Sequence, residues 1–369
     1  MKITFIKKTL LILGAILIFI SCSKEDIDNV ITNTGEVQNI DKTFLAQIKK
    51  SAQEFDKNTI WKGYDFSSQP MYFIYRDANK KPLRGYLINP KKEISGAEKL
   101  KEEDANGLNV YRFDRDVIKL NKALKSGNDL FEFFYKIEGD AYYSQIYSDK
   151  TIADKFNGAI QFATHEVFHV FQFATWKGTA NVIQNEEKYP INTDLLALQL
   201  LTLKISAKMP TLTNKSEIKE YLKMYVAIRN KEMSIDPTPN AMVKNMANEQ
   251  EKGEGTAKFI EVMNSYKIIP DYSTAFGIDN FSSFQTKKDM RSYFAFGIWY
   301  DTGAAVSHML KNQEAEIEEQ IKAGKTLFGI AKPHLNLSTA QEAAALQAAK
   351  SEFNWANIEA EALRLTQLN

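Results

Sequence analysis

The chain has little of several residues that would define a class outright. Its 369 residues include one cysteine, four histidines, nine prolines and 17 glycines. A single cysteine excludes an intramolecular disulfide, so stability must come from a buried core, which a chain of this length can build. Scarce glycine and proline exclude collagen-like and low-complexity chains. No charge excess exists either: 47 Lys and Arg stand against 46 Asp and Glu. Without Lys2, Lys7 and Lys8, which sit in an N-terminal leader, 44 basic residues face 46 acidic ones, a balance near −2. No basic surplus is available to displace counterions from a phosphate backbone, so nucleic acid is not an expected partner. Tracts such as Lys99–Asp104 read as solvated faces. What the chain does have, 44% apolar and 12% aromatic residues, is the composition of a folded protein.

The leader has three parts: the charged start of Lys2, Lys7 and Lys8, the apolar core Leu10–Ile20, and Cys22 at its end. The core is short for a membrane span, so residues 1–21 read as a signal peptide. Phe19-Ile20-Ser21-Cys22 resembles the lipobox of bacterial lipoproteins, with Phe19 replacing the usual aliphatic residue. The resemblance implies lipidation of Cys22 and a membrane held through that anchor, since stable attachment takes two or more acyl chains. It implies a place in the bacterial cell envelope, on the periplasmic or outer face of the outer membrane. Ser23-Lys24-Glu25-Asp26 resemble the short acidic signal that directs some Gram-negative lipoproteins to the cell exterior. Residues 22–40, polar and poor in aromatics, read as the lipidated cysteine and a tether, and 41–369 as one domain.

Within that domain the pattern changes near residue 150. A first helix is expected over Lys42–Asp56, with Phe44, Leu45 and Ile48 on one face. Met71–Tyr75, Gly85–Ile88, Leu108–Phe113, Phe131–Tyr135 and Ala141–Tyr147 read as strands. After residue 150 helices are expected over Asp154–Trp176, Thr193–Ala207, Ser216–Met233, Asn240–Tyr266 and Tyr300–Ala323, with Thr193 and Ser216 as N-caps. Strands first and helices later predict an α+β fold: a β-rich part over 41–150 and a mostly helical part over 151–369.

The chemistry is concentrated in His165-Glu166-Val167-Phe168-His169. On a helix, positions i and i+4 share a face, so two imidazoles can take two corners of a zinc tetrahedron. Glu166, beside the first of them, is placed to act as general base. With four histidines in the chain, chance supplies roughly 0.003 such H-E-x-x-H matches. The flanks are apolar nearly all round, which buries the helix expected over 157–176. Burying two imidazoles and a carboxylate costs several kcal/mol unless they are paired or bind a metal. A metzincin would place a third histidine at position 175 and glycine at 172; Thr175 and Gln172 stand there instead. An acidic third ligand is therefore expected. Glu254 is the strongest candidate, because Gly253 and Gly255 flank it within a helical stretch and each costs about 1 kcal/mol against alanine. Close backbone approach to the histidine helix would justify them; a helix break is the alternative. Glu251, Asp194 and Glu261 compete, Glu251 most seriously because it lies three residues away on nearly the same face.

Gly253–Phe259 is similar to the N-E-G-x-A-x-Y/F segment of gluzincin peptidases related to aminopeptidase N, with Gly253 in place of Asn. Tyr300-Asp301-Thr302-Gly303-Ala304 is similar to the Y-x-x-G-A segment of the same group. The resemblance spans roughly residues 140–325. It implies a zincin-like catalytic domain with zinc on His165, His169 and Glu254, and Tyr300 as oxyanion donor; Tyr293 is its local rival. The family's Gly-x-Met-Glu-Asn strand, which holds a substrate's free amine, is missing; Gly139–Tyr147, with Asp140, Tyr142 and Tyr143, is the corresponding edge strand. Aminopeptidase specificity is thus unsupported.

The expectation is a lipid-anchored zinc metallopeptidase acting on peptide or protein substrates with Zn2+ as cofactor. The sheet would offer an edge to an extended peptide. The alternative is a non-catalytic surface lipoprotein that captures peptide or glycan on the aromatics Tyr72, Phe73, Tyr75, Tyr86, Phe131, Phe133, Phe134, Tyr135, Tyr142 and Tyr143. The intact Glu166 speaks against it. A closed structural zinc site would need a fourth ligand, and no further Cys or His has suitable spacing.

Overall fold

Aromatic and β-branched runs with a two-residue period form the first half of the chain. In a computed structural model, which describes residues 37–113, 130–177, 189–209, 212–238, 241, 243–278, 281–282 and 284–369, these runs make one six-stranded sheet. The strands are β1 (Met71–Arg76), β2 (Pro82–Ile88), β3 (Glu98–Lys99), β4 (Val110–Phe113), β5 (Phe131–Ile137) and β6 (Asp140–Tyr147), in spatial order β3-β4-β2-β1-β6-β5. Only the β1–β6 pair is parallel; the other pairs are antiparallel. Alternation sorts the side chains. Met71, Phe73 and Tyr75 face the main core with Tyr143 and Tyr147, while Tyr72 and Ile74 join Leu87, Tyr135 and Tyr142 in a smaller core on the opposite face. With both faces covered, Tyr72, Phe73, Tyr75, Tyr86, Tyr135, Tyr142 and Tyr143 are core residues, not a binding face. Only Phe131, Phe133 and Phe134 of the aromatic set remain accessible, Phe134 at 52%.

The leader, Cys22 and most of the expected tether lie outside the described residues. Val37 is already buried and α1 starts at Asn39 (Asn39–Asp56), two residues before the expected domain start. Residues 37–369 form one compact unit. Among the described residues no helix is long and apolar enough to cross a membrane.

The second half is helical, which makes the fold α+β. α2 (Asp149–Ala153) leads into α3 (Ala159–Thr175), the expected histidine helix. α4 (Thr193–Lys208) and α5 (Lys215–Ile235) follow. Their caps are Asn192 and Asn214, whose side chains accept from Leu195 N and from Ser216 N and Glu217 N; the expected caps Thr193 and Ser216 lie just inside. The stretch Val243–Ile268 runs without a break through a π turn at Val243–Ala247, α6 (Asn248–Gln250), a second π turn at Glu251–Gly255 and α7 (Thr256–Ile268). A further composite helix joins α8 (Lys287–Ser292), a π turn at Tyr293–Gly297 and α9 (Ile298–Asn312). The helix expected over Tyr300–Ala323 therefore begins earlier and stops at residue 312. Its stop is a Schellman motif, Ala315 N to Leu310 O and Glu314 N to Lys311 O, with Glu314 at φ 58 in the place glycine usually holds. α10 (Ile317–Lys322), α11 (Leu327–Leu335), α12 (Thr339–Glu352) and α13 (Trp355–Thr366) close the chain.

α1 is fastened to the sheet through Asp41, fully buried on its first turn. Its carboxylate accepts from Arg84 Nε at 2.6 Å and Nη2 at 3.0 Å, Tyr86 OH at 2.8 Å and Tyr147 OH at 2.6 Å. Removing one partner of such a buried network strands the others. Asp41→Ala is expected to cost about 3–5 kcal/mol in chemical denaturation. Disrupting the exposed Glu54–Lys57 pair should cost well under about 1 kcal/mol.

Candidate metal centre

α3 lies between the sheet and α7. Its N-terminus is held by Gln145, whose Nε2 donates to Ala159 O at 2.9 Å while its Oε1 accepts from Tyr143 OH at 2.7 Å. Phe168 anchors the far side, with ring contacts to Trp61, Tyr64 and Trp176 at 5.1, 5.0 and 5.8 Å. That leaves His165 and His169, one turn apart, directed at the second π turn. There Glu254 meets them: the three donor atoms lie within 4.8 Å of one another. Nε2 of His165 and Nε2 of His169 are 3.2 Å apart, and Glu254 Oε2 stands 3.4 and 3.1 Å from them.

The other ring nitrogens are already engaged. His165 Nδ1 is 3.2 Å from Glu261 Oε2 and His169 Nδ1 is 2.7 Å from Gln172 Oε1. Each Nδ1–H donates to an oxygen, so in the neutral rings each Nε2 presents a lone pair. Two lone pairs and a carboxylate oxygen thus converge on one point, an arrangement that calls for a proton or a cation between them. The spacing suits a metal: donors about 2.0–2.1 Å from a tetrahedral ion lie about 3.3–3.4 Å from one another. Three protein ligands leave a fourth position for another group, as in catalytic sites. Residues His165, His169 and Glu254 fit a divalent metal on this chemistry.

The π turn explains why Glu254 reaches the histidines and Glu251 does not. Its wider i→i+5 ring turns the chain less per residue than an α-helix, so three residues no longer return to nearly the same face. Glu251 points the other way, fully buried, accepting from Tyr225 OH at 2.6 Å and Thr302 Oγ1 at 2.6 Å and pairing with Arg229. It is part of a structural network. Asp194 is exposed on the first turn of α4. Glu261 is the partner of His165, itself held by Lys258. The glycines also have a different reason from the one expected. A Cβ on Gly255 would lie 2.4 Å from Gly303 Cα, and one on Gly303 would lie 2.6 Å from Glu251 O. The close approach is to α9, not to α3. A Cβ on Gly253 would touch nothing within 4 Å.

That glycine contact brings α9 against the π turn and with it Tyr300, one turn before Gly303. The Tyr300 ring stacks on His165 with centroids 5.6 Å apart. Burial, then the charge and hydrogen bond of Glu254, raise its pKa well above the usual phenol value. Tyr293, the rival, donates to Asp301 Oδ2 at 2.7 Å. Of the other histidines, His308 packs on Phe276 and neither it nor His334 joins the cluster. Glu166 is buried, and among the described residues no hydrogen bond engages its carboxylate. Burial raises its pKa, an effect only partly offset by charge on His165 and His169. Glu254 is held well below the usual carboxylate range: burial opposes its charge, but His169 and His165 outweigh burial. For His165, burial disfavours the cation, but hydrogen bonds to Glu254 and Glu261 prevail and push it up to about 10.

A small platform of aromatics flanks the site. Phe133 and Phe173 lie 6.1 and 6.2 Å from the His169 ring, and Phe134 is 6.3 Å from Phe173. Phe133 and Phe134 occupy a β-bulge, one extra residue between the Glu132–Ser144 and Tyr135–Tyr142 pairs. β5 is an end strand among the described residues, whereas β6, which contains the expected edge segment, is interior between β1 and β5.

Without metal, His165 is protonated at neutral pH. Its folded-state pKa lies above the unfolded value, so its contribution to metal-free stability is complete below about 6.5 and is lost as pH rises through about 10. Metal must displace that proton. Apparent affinity should therefore keep rising with pH towards 10, and calorimetry in buffers of different ionisation enthalpy should show at least one proton released at pH 7. Glu254→Ala should abolish tight metal uptake, measured by mass spectrometry, whereas Glu251→Ala should lower the melting temperature. Gly303→Ala should cost about 1–3 kcal/mol by overpacking and weaken metal binding as α9 is pushed off the π turn.

No protein-family model matches the chain, and neither does any curated protein or solved structure, so its function has to be read from this geometry.

Proposed function

We propose that this chain is a zinc-dependent metallopeptidase of the gluzincin type, anchored in the bacterial cell envelope through Cys22. The observation that carries the reading is the convergence of His165 Nε2, His169 Nε2 and Glu254 Oε2 beside an unpaired, buried Glu166 carboxylate. Two nitrogens and one oxygen form a donor set that suits zinc. Bound zinc would polarise a substrate carbonyl and acidify water. Glu166 would take the proton of the attacking water and later deliver it to the leaving amine, and its raised pKa makes that return easier. The Tyr300 hydroxyl, kept neutral by burial and by Glu254, would donate to the developing oxyanion.

The substrate-binding surface in this reading is the β5 edge, where an extended peptide can add a strand. Phe133, Phe134 and Phe173 would receive a bulky apolar side chain next to the scissile bond. A binder without catalysis has no need for a carboxylate left without a partner beside two histidines, and the aromatic face that such a reading requires is mostly core.

A peptide library screened with the zinc-loaded protein tests the proposal. Cleavage is expected beside large apolar residues. Glu166→Gln should keep its zinc and lose about 10²–10⁴-fold in rate, and Tyr300→Phe should lose about 10²–10³-fold in kcat. Phe134→Ala with Phe173→Ala should raise KM for apolar substrates most. Hydrolysis that survives Glu166→Gln in metal-loaded protein would overturn the proposal.

A further inference from the structure

We propose that Gln172 is a positioning residue that couples the two chain segments of the metal centre, fixing the proton on His169 and the backbone that carries Glu254. The inference rests on the metal reading above and concerns how the site is held, not what it cleaves.

Gln172 lies one turn beyond His169 on α3 and is 1% exposed. Its Nε2 donates to Gly253 O at 2.9 Å and to Thr256 Oγ1 at 2.9 Å, which uses both N–H groups. Thr256 Oγ1 accepts from Gln172 and donates to Lys252 O at 2.7 Å. A carbonyl can only accept, so Gly253 O fixes which end of the amide is nitrogen. The amide oxygen then faces His169 Nδ1 at 2.7 Å and can only accept from it. In its neutral form His169 must therefore carry its proton on Nδ1 and present a lone pair at Nε2, towards Glu254.

The other half of the clamp acts on Glu254. Gly253 O belongs to the peptide group that leads into Glu254, so Gln172 holds the backbone one bond from the ligand's amide nitrogen. The same carbonyl also accepts from the Thr256 backbone N–H and, at 3.2 Å, from Thr256 Oγ1, and the Thr256 hydroxyl gives Gln172 a second point one turn on. Glu261 does not perform this task for His165: its partners are the His165 ring and Lys258. Gln172 thus ties the histidine helix to the backbone of the π turn, across 81 positions of sequence. An uncharged amide can do both jobs. A carboxylate of the same shape would accept from His169 but set an oxygen against Gly253 O.

The test measures metal affinity by chelator competition and geometry from the absorption spectrum of the Co2+-loaded protein. Gln172→Leu, a buried residue of similar size, should weaken Zn2+ binding by about 10–100-fold and shift the Co2+ spectrum. Gln172→Glu keeps an acceptor for His169 and loses the clamp, and should also weaken binding by at least about tenfold. Ile160→Ala on the same helix should lower the melting temperature but leave the spectrum in place, which separates positioning from general destabilisation. Wild-type affinity and spectrum in a folded Gln172→Glu or Gln172→Leu protein would overturn the role of Gln172 and leave the metal reading standing. Failure of the unaltered protein to take up Zn2+ or Co2+ would overturn both.

Discussion

Three electron-rich atoms held at 3.1–3.4 Å from one another, on two buried histidines and a partly buried glutamate, form the constraint on which the architecture around α3 depends. Such an arrangement is costly unless a positive charge sits among them. Each neighbouring element helps to maintain it. The sheet fixes the start of α3 through Gln145, and the aromatic packing of Phe168 fixes its rotation. α7 supplies Glu261 for one ring, and the π turn supplies Glu254. The Gly255–Gly303 contact draws α9 close enough to set Tyr300 over His165. The polar groups at the centre are therefore backed by a rigid surround, the condition under which donor positions are held to fractions of an ångström.

The Nδ1 contacts of the two histidines are unequal in kind. His165 faces a carboxylate that Lys258 partly neutralises, while His169 faces a neutral amide. The hydrogen bond to Glu254 and, after it, this Glu261 contact make the His165 ring more basic and account for its high pKa in the metal-free protein. The amide contact of His169 contributes direction and little charge. Together with Glu254, itself negative, the centre collects enough negative charge to favour a divalent cation while leaving Glu166 unpaired beside it.

Much of this was legible in the sequence wherever the signal is local. His165, Glu166 and His169 announce themselves because the i, i+4 spacing is written directly in the chain, and the strands because alternation is. The α+β order followed from the same periodicities. Glu254 could be named only as the best of several acids, since 85 positions separate it from His169. The choice between it and Glu251 turned on a π turn, and the size of a hydrogen-bonded ring leaves no mark on side-chain identity. Close approach to the histidine helix is the expectation for both Gly253 and Gly255; only Gly255 has a close neighbour, and that neighbour is Gly303 on α9, a contact no local pattern marks. The helix end at Glu314 was missed because a residue other than glycine holds the left-handed position there. Glu261, a candidate ligand by sequence, lies seven residues after Glu254, two turns along the same face, and that spacing is the one signal that marks it as a second partner of the same ring. At Gln172 the sequence shows only that the metzincin glycine is absent.

On the proposed function, His165, His169 and Glu254 share one metal ion. The most direct measurement is an anomalous-difference map from crystals of residues 23–369 grown with zinc. One peak bonded to Nε2 of both histidines and to Glu254 Oε2, at about 2.0–2.1 Å, is the result this account requires. A map with no peak there, or with zinc only on exposed carboxylates elsewhere, would contradict it.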